Sequence, residues 1–258
     1  MSIIHKIKTS IGIIRLFKNW PTFFLHYFNL KRNKEIVFRF RNGLKWHVDT
    51  TKRGFAVISD VWIQKPYKLL FEVNNPKIIL DFGAHIGSFS IMAAKKYPNS
   101  KIYAFEASNE NFLNLQKNIK INNIKNIRTF NIGISDKNAI LRFFINEKNT
   151  ILNTFINTAQ FNNSKNYKVR CKKLSTLFNE LKIKHCDFLK LDVEGFEYRI
   201  LKSSEKNGVL KNIGALTAEI DVTSSNFKKT TVLLNRNGFA TSINGDIINA
   251  KNERRIKP

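Results

Sequence analysis

The sequence predicts an α/β protein, a parallel sheet with helices on both faces, preceded by a basic N-terminal helical extension. Two observations carry this reading. From Lys77 onward, short runs rich in Ile, Leu, Val and Phe alternate with segments whose apolar residues recur at helical spacing. The first of these runs, in "IILDFGAHIGSFS" at residues 78–90, ends on an acid and turns through two glycines into a helical pattern.

The elements follow in order. Residues 78–82 read as a buried strand, 86–97 as a helix, 101–106 ("KIYAFE") as a strand, 109–122 as a helix and 127–132 as a strand. "ILRFFI" at 140–145 reads as an added strand, and the Asn-rich stretch 146–166 as a loop. The alternation resumes with "YKVRCKKL", a short helix near 174–182, the strand "CDFLKLDV" and a helix from about Phe196. A strand at 214–220 and a helix near 226–237 lead into a hairpin that turns at "NGD", 244–246. With 258 residues, 43% of them apolar, the chain is long enough for one full core. It divides into an extension, 1–45, and a main domain, 46–258, whose motifs span 78–222.

Composition narrows the class without assigning a partner. The net charge of +25 matches nucleic-acid binding, yet the basic residues form no Arg-rich tract and no RNA-binding motif with interleaved aromatics. Lys, Asn and Ile are heavily used from end to end, as a coding bias would also produce. Cys171 and Cys186 stand far apart and outside any C-x-x-C pair, which argues against a disulfide framework or a zinc site and for a reducing, cytoplasmic setting. In the extension, Ile3, Ile4, Ile7, Ile11 and Ile14 recur at helical spacing among Lys6, Lys8, Arg15 and Lys18, before "WPTFFLHYF". No apolar run there is long enough to span a bilayer, and no signal-type cleavage site follows one. Residues 1–40 therefore have two readings: an interfacial helix held on the inner face of an anionic membrane, or a helix packed on its own domain.

In such a sheet, ligands sit beyond the carboxyl ends of the strands. These ends carry Asp81 to Gly87, Glu106, the Gly133 to Asp136 turn, Asp192 to Glu197, and Glu219 with Asp221. The first turn is not a P-loop, because Ser88 and Phe89 follow Gly87 where a phosphate-binding Lys is needed. It also lacks G-x-G-x-x-G, the pyrophosphate cradle of dinucleotide folds. An acid beside glycines suits a cationic ligand without phosphates, and Glu106 stands where a carboxylate accepts both ribose hydroxyls. S-adenosylmethionine has these features, a ribose and a cationic amino-acid tail.

"IILDFGAHIGSFSIMAAKKYPNSKIYAFEASNENFLNLQKNIKINN" followed by "DFLKLDVEGFEYRIL" resembles the FkbM-type S-adenosylmethionine-dependent methyltransferases, over roughly residues 60 to 222. The resemblance implies a class I, Rossmann-like methyltransferase fold with a seven-stranded mixed sheet, and methyl transfer to a hydroxyl, often of a sugar or polyketide. Carried over by motif, Asp81, Gly83 and Gly87 line the methionine part, Glu106 holds the ribose, and Ser135 or Asp136 lies by the adenine. The D-V-E-G-x-E acids face the methyl group and the incoming hydroxyl. His85 replaces the usual Asn of the family, and the residues after Glu219 also depart from its pattern.

Methyl transfer to oxygen needs alignment and a proton acceptor, the latter typically worth about two to four powers of ten in rate. Asp192 or Glu194 is the first choice for this base and His85 the next, since crowded carboxylates raise one another's pKa. Glu197 equally fits a structural role at its helix N-terminus. Asp192, Glu194, Glu219 and Asp221 offer oxygen ligands suited to magnesium, but nothing in their spacing demands a metal and none is expected. Trp62 and Tyr67 read either as walls of an acceptor pocket or as ordinary packing. The expected acceptor is a hydroxyl of a glycan, glycolipid or related metabolite. The alternative is an RNA ribose; amino-directed nucleic-acid enzymes carry an Asn- or Asp-Pro-Pro-aromatic motif where this chain has D-V-E-G.

Overall fold

The computed structural model describes residues 3–64, 67–156, 164–221 and 223–253, leaving the side chains of residues 3–8 and Gln64 outside that description. The chain opens with α1 (Ile3–Leu16), α2 (Trp20–Tyr27) and a hairpin of β1 (Ile36–Arg39) and β2 (Lys45–Val48). Tight helical turns over 53–64 include α3 (Val57–Ser59). The alternating region then supplies β3 (Ile78–Phe82), α4 (Ser88–Lys96), β4 (Lys101–Phe105), α5 (Asn109–Ile121) and β5 (Ile127–Phe130). Next come β6 (Gly133–Ile134), β7 (Ala139–Phe144), β8 (Asn166–Lys172), α6 (Leu174–Glu180) and β9 (Cys186–Leu191). The last elements are α7 (Glu197–Lys206), β10 (Ile213–Glu219), α8 (Ser225–Arg236), β11 (Phe239–Asn244) and β12 (Ile247–Asn252).

Seven strands form one mixed sheet in the order β11-β12-β10-β9-β3-β4-β5. Only β12 runs against its neighbours, because a two-residue hairpin turn reverses the chain between Asn244 and Ile247. The strand order reverses direction between β3 and β9, which creates the crevice where ligands of open α/β sheets bind. Alternating side chains cover both faces. Leu80, Phe82, Leu189, Leu191, Leu216 and Ala218 pack with α6, α7 and α8, while Ile79, Ile102, Phe188 and Ala215 pack with Phe89, Met92 and Ala93 of α4. Ser108 and Ser224 cap α5 and α8 through their hydroxyls.

Three expectations need adjustment. The strand read over 127–132 ends at Phe130, and Gly133 and Ile134 leave the main sheet to pair with β8. A Cβ on Gly133 would lie 2.6 Å from Cys171 Sγ, so a glycine permits that close approach. The strand at 139–144 likewise joins a separate sheet, ordered β6-β8-β7. The stretch 146–166 includes a helical turn at Thr150–Leu152 and a bridge from Phe144 to Thr154; its residues 157–163 lie outside the described residues.

The extension docks on the domain. Ile13 and Phe17, one turn apart, are fully buried with Phe23, Phe38, Phe40 and Trp46, and this cluster continues onto Ile86 and Ile91. Ile11 and Ile14, expected on the apolar face, are instead 45% and 40% exposed, whereas the side chains of Ile3, Ile4 and Ile7 fall outside the described residues. The 45/46 division falls at the first residue of β2. Asn118 of α5 and Asn122, its C-terminal cap, accept from His47 N at 2.7 Å and Lys45 N at 2.8 Å, covering the open edge of that strand. Among the described residues, no helix is long and apolar enough to cross a membrane.

Candidate active site

The register at the switch point sets Asp81 of β3 directly opposite Lys190 of β9, on the sheet face that α4 covers. Both side chains are buried. Lys190 Nζ donates to the Gly83 carbonyl at 2.7 Å and lies 3.4 Å from Asp81 Oδ1 and 3.1 Å from Asp192 Oδ2. Ser90 Oγ of α4 donates to the other Asp81 oxygen at 2.5 Å. One ammonium thus ties the glycine turn after β3 to the acidic turn after β9. Its two carboxylate neighbours hold its pKa well above the usual lysine value against the opposing effect of burial. Burial also holds the Asp81 carboxyl above its usual range, although Lys190 and Ser90 pull it down.

The glycine turn is shaped by close approach. Gly83 has φ 77°, and a Cβ there would come within 1.7 Å of the Asp192 carbonyl oxygen, so the two turns touch through backbone. His85 follows at φ 51°, an unusual conformation for a residue with a side chain. Its amide donates to Glu106 Oε2 at 2.7 Å, and Ser108 N donates to Oε1 at 2.8 Å. Each Glu106 oxygen keeps an acceptor site free for a ligand. His85 Nε2 sits 2.9 Å from Thr150 Oγ1, while its buried Nδ1 has no hydrogen-bond partner among the described residues.

The acidic turn is held from its own helix. Glu197 accepts from Val193 N at 2.9 Å and Gly195 N at 3.1 Å, and Thr154 Oγ1 donates to the Glu194 carbonyl at 2.8 Å. Glu194 itself has φ 54°. Glu197 therefore shapes the loop that presents Asp192 and Glu194, rather than facing the cavity.

A cavity of about 730 Å³, counting its open mouth, lies above this junction. Gly83, His85, Glu106, Asp192 and Glu194 form its polar wall, and Tyr67, Ala107, Ile134, Phe143 and Phe155 its apolar one. Thr150 and Asn153 close it from the Asn-rich stretch. The wall is rich in acids, with the buried cation Lys190 among its lining residues. Burial and the charges of Asp192, Glu197 and Glu219 push the Glu194 carboxyl up to about 9. Burial raises Glu106 to about 7 despite its two backbone donors. Glu197 reaches about 7 through burial, and Glu219, the last residue of β10, reaches about 7 chiefly through the charge of Asp192. Burial, with Lys190 nearby, lowers His85 to about 3, so its ring is neutral.

The structure brings Gly83, His85, Glu106, Asp192 and Glu194 to one cavity. It leaves Asp81, Gly87, Ser135 and Asp136 out of the wall. Asp81 is spent on Lys190 and Ser90, and Gly87 packs beneath α5, where a Cβ would meet Leu115 at 2.6 Å. Ser135 Oγ donates to the Lys137 carbonyl, and Asp136 pairs with Arg199 at 3.1 Å. The turn carrying both is drawn away by the pairing of β6 with β8. Asp221 binds Thr223 N and Oγ1. Among the described residues, no group of three or more His, Cys, Asp and Glu is placed to hold a metal. Tyr67 lines the cavity, whereas Trp62 packs against the apolar clusters. Lys190 escaped the sequence reading because a lysine inside "FLKLDV" resembles a solvent-facing strand position; only its two-residue spacing from Asp192 hinted otherwise.

The wall fits S-adenosylmethionine. Glu106 offers paired acceptors for vicinal hydroxyls, the raised acids want a positive charge beside them, and the apolar wall has room for a base. A family model described as "Methyltransferase FkbM domain" matches residues 81–240. "Methyltransferase 1" of Beauveria bassiana (strain ARSEF 2860) is 25% identical over 203 residues, covering 71% of this chain and 80% of that protein. "Methyltransferase sdnD" of Sordaria araneosa is 27% identical over 196 residues, covering 62% of this chain and 75% of its own length. Among solved structures, M. jannaschii TYW2 in complex with AdoMet is similar at 14% identity and TM-score 0.46, over 86% of this chain and 87% of that one.

Two outcomes are expected. Lys190→Met strands the buried Asp81 carboxyl and removes the partner of half-buried Asp192, and should lower unfolding free energy by about 3–5 kcal/mol in urea titrations. Adding Asp81→Asn should restore part of the loss; an equal or larger loss in the double variant would contradict the pairing. The second concerns pH. The folded protein keeps protons on Glu106, Glu194, Glu197 and Glu219 that unfolded glutamates release near 4.5, so these groups lose stabilising effect as pH rises through 7 toward 9. Below 6.5 the lowered pKa of His26 and His85 opposes the trend. The thermal midpoint of the ligand-free protein should therefore fall from pH 6.5 to about 8.5. A flat or rising midpoint would contradict the raised acids.

Proposed function

We propose that this chain, which belongs to the FkbM family of methyltransferases and uses S-adenosylmethionine, transfers the methyl group to a hydroxyl, that of a sugar in a glycan or glycolipid or of a related metabolite. The observation that carries this reading is the acidic turn at 192–194, set beside a ribose-type acceptor, Glu106, in one cavity. When bound, S-adenosylmethionine supplies a methyl group on a cationic sulfur that is already a good leaving group. The chain has to hold, align and take a proton.

Glu106 accepts from the ribose hydroxyls, with His85 N and Ser108 N keeping both of its oxygens in place. Gly83 admits the amino-acid tail against bare backbone, and Ala107, Ile134 and Phe155 flank the base. Asp192, oriented by Lys190, accepts the hydroxyl proton. Glu194 stays protonated near neutral pH until a positive charge arrives beside it, and then serves as a hydrogen-bonding partner of the acceptor. His85 is neutral and orients the acceptor through Nδ1 rather than acting as the main base. The net charge of +25 favours a second reading, methylation of an RNA ribose.

Exposed Ile11, Ile14, Leu25, Phe28 and Leu30, among Arg15, Lys18, Lys31 and Arg32, support peripheral association of the extension with anionic membrane.

Glu106→Ala should abolish S-adenosylhomocysteine binding in equilibrium dialysis. Asp192→Asn should retain it while losing about two to four powers of ten in turnover of labelled methyl. Loss of cofactor binding in both variants would contradict the division of roles, and label appearing in RNA but in no glycan or glycolipid would replace the acceptor reading. For the extension, Ile11→Ser with Phe28→Ser should prevent flotation with anionic liposomes and leave dialysis unchanged; undiminished flotation would remove the membrane contact.

A further inference from the structure

A second cavity, of about 800 Å³ counting its open mouth, opens between the N-terminal helices and the turn Arg53–Ala56. It shares no lining residue with the first. Tyr27, Phe28 and Phe55 form an apolar side, and Arg32 and Arg53 stand at its exposed rim with no carboxylate among the lining residues. Arg32 Nη1 donates to the Thr51 carbonyl at 2.6 Å, which fixes that guanidinium and leaves its other nitrogens free to donate. Arg53 has no acidic partner among the described residues.

The floor of this cavity carries an unsatisfied group. His26 is 3% exposed, its Nδ1 lies 2.8 Å from Thr50 Oγ1, and its buried Nε2 makes no hydrogen bond. Burial lowers the pKa of the ring against the opposing effect of the Lys31 backbone, so the ring is held neutral. Thr50 Oγ1 accepts from Asn33 N and has two acceptors within reach for its own proton, the Asn33 carbonyl at 3.0 Å and His26 Nδ1; in the tautomer that receives the hydroxyl at Nδ1, Nε2 carries the imidazole proton and needs an acceptor. A buried donor left unmade is costly, so a site holding one beside two arginines is built for an anionic acceptor.

We propose that this second cavity binds an organic phosphate, with the phosphate received by Arg32, Arg53 and His26 Nε2 and the carbon body laid on Tyr27, Phe28 and Phe55. Arginine suits the group because its planar fork donates two hydrogen bonds to neighbouring phosphate oxygens. The location links the site to the first cavity. The turn that presents Arg53, Phe55 and Ala56 to the second cavity presses Gly54 against the other side, where a Cβ would meet Thr150 Oγ1 at 2.0 Å and the His85 ring at 3.0 Å. Val57, next along, lines the first cavity. If the methyl-transfer reading holds, a phosphate-bearing acceptor is the natural occupant; the phosphate site itself does not depend on that reading.

Calorimetric titration of the full chain with n-hexyl phosphate, with n-hexanol as control, tests the site. Hexyl phosphate should bind and hexanol should not, and Arg53→Ala should weaken binding roughly tenfold or more without changing the thermal midpoint. Arg32→Ala should act in the same direction, and S-adenosylhomocysteine binding should be unaffected in both. Competition by glucose 1-phosphate marks a soluble source, and competition only by vesicles of phosphatidylcholine with phosphatidic acid marks a lipid source; either supports the site. Absence of hexyl phosphate binding, or binding indifferent to both arginine variants, overturns it. Failure of S-adenosylhomocysteine to bind beside intact hexyl phosphate binding would count against the methyltransferase cavity alone.

Discussion

The architecture of the site depends on one buried ammonium. Lys190 sits in the middle of the sheet, on β9 beside β3, where the strand order reverses. Three oxygens surround it, from the strand carboxylate Asp81, the Gly83 carbonyl and the Asp192 carboxylate. A charge at that depth is tolerable only when so surrounded, and the surrounding groups are in turn held in the geometry it imposes. Two turns more than a hundred residues apart in sequence are thereby locked together, close enough that Gly83 admits no side chain.

The rest of the cavity follows from an imbalance of charge. One lysine, Lys190, lines the cavity beside Glu106, Asp192 and Glu194, in a protein whose net charge is +25. A strongly basic chain that gathers its acids in one concave place carries two electrostatic surfaces, a general attraction for anions and a local attraction for a cation. The left-handed conformations of His85 and Glu194 lie on either side of this wall. Both are over-determined by neighbours: the His85 amide by Glu106, and the Glu194 carbonyl by Thr154. Backbone strain held in this way is a common mark of a preorganised binding site.

Much of this was legible in the sequence, for identifiable reasons. The strands of the main sheet are short and apolar and end on acids, and the helices between them have clear periodicity, so β3, β4, β9 and β10 emerged close to their observed limits. Glu106, Asp192 and Glu194 stood out in the sequence as acids at or just beyond strand ends, and all three line the cavity. Other features were hidden. Ser135 and Asp136 looked like strand-end residues, but the small sheet β6-β8-β7 redirects their turn, and pairing between segments as far apart as Gly133 and Cys171 leaves no local trace. The buried face of α1 was misjudged because several isoleucines lie around the helix, and tertiary contact alone selected Ile13 and Phe17 over Ile11 and Ile14. Lys190 and His26 were invisible for a related reason: a polar residue in a strand or helix signals burial only when its partners are known.

Glu106 and Glu194 of the cavity wall hold protons until the positive charge of a bound nucleoside lies beside them. Calorimetric titration with S-adenosylmethionine near neutral pH, repeated in buffers of different ionisation enthalpy, measures the protons exchanged on binding. Binding with net proton release, larger than for the less positively charged S-adenosylhomocysteine, is the expected result, because a positive charge lowers the pKa of neighbouring carboxyls. Binding without proton release, or with equal release for both ligands, would contradict the electrostatic origin assigned to the site.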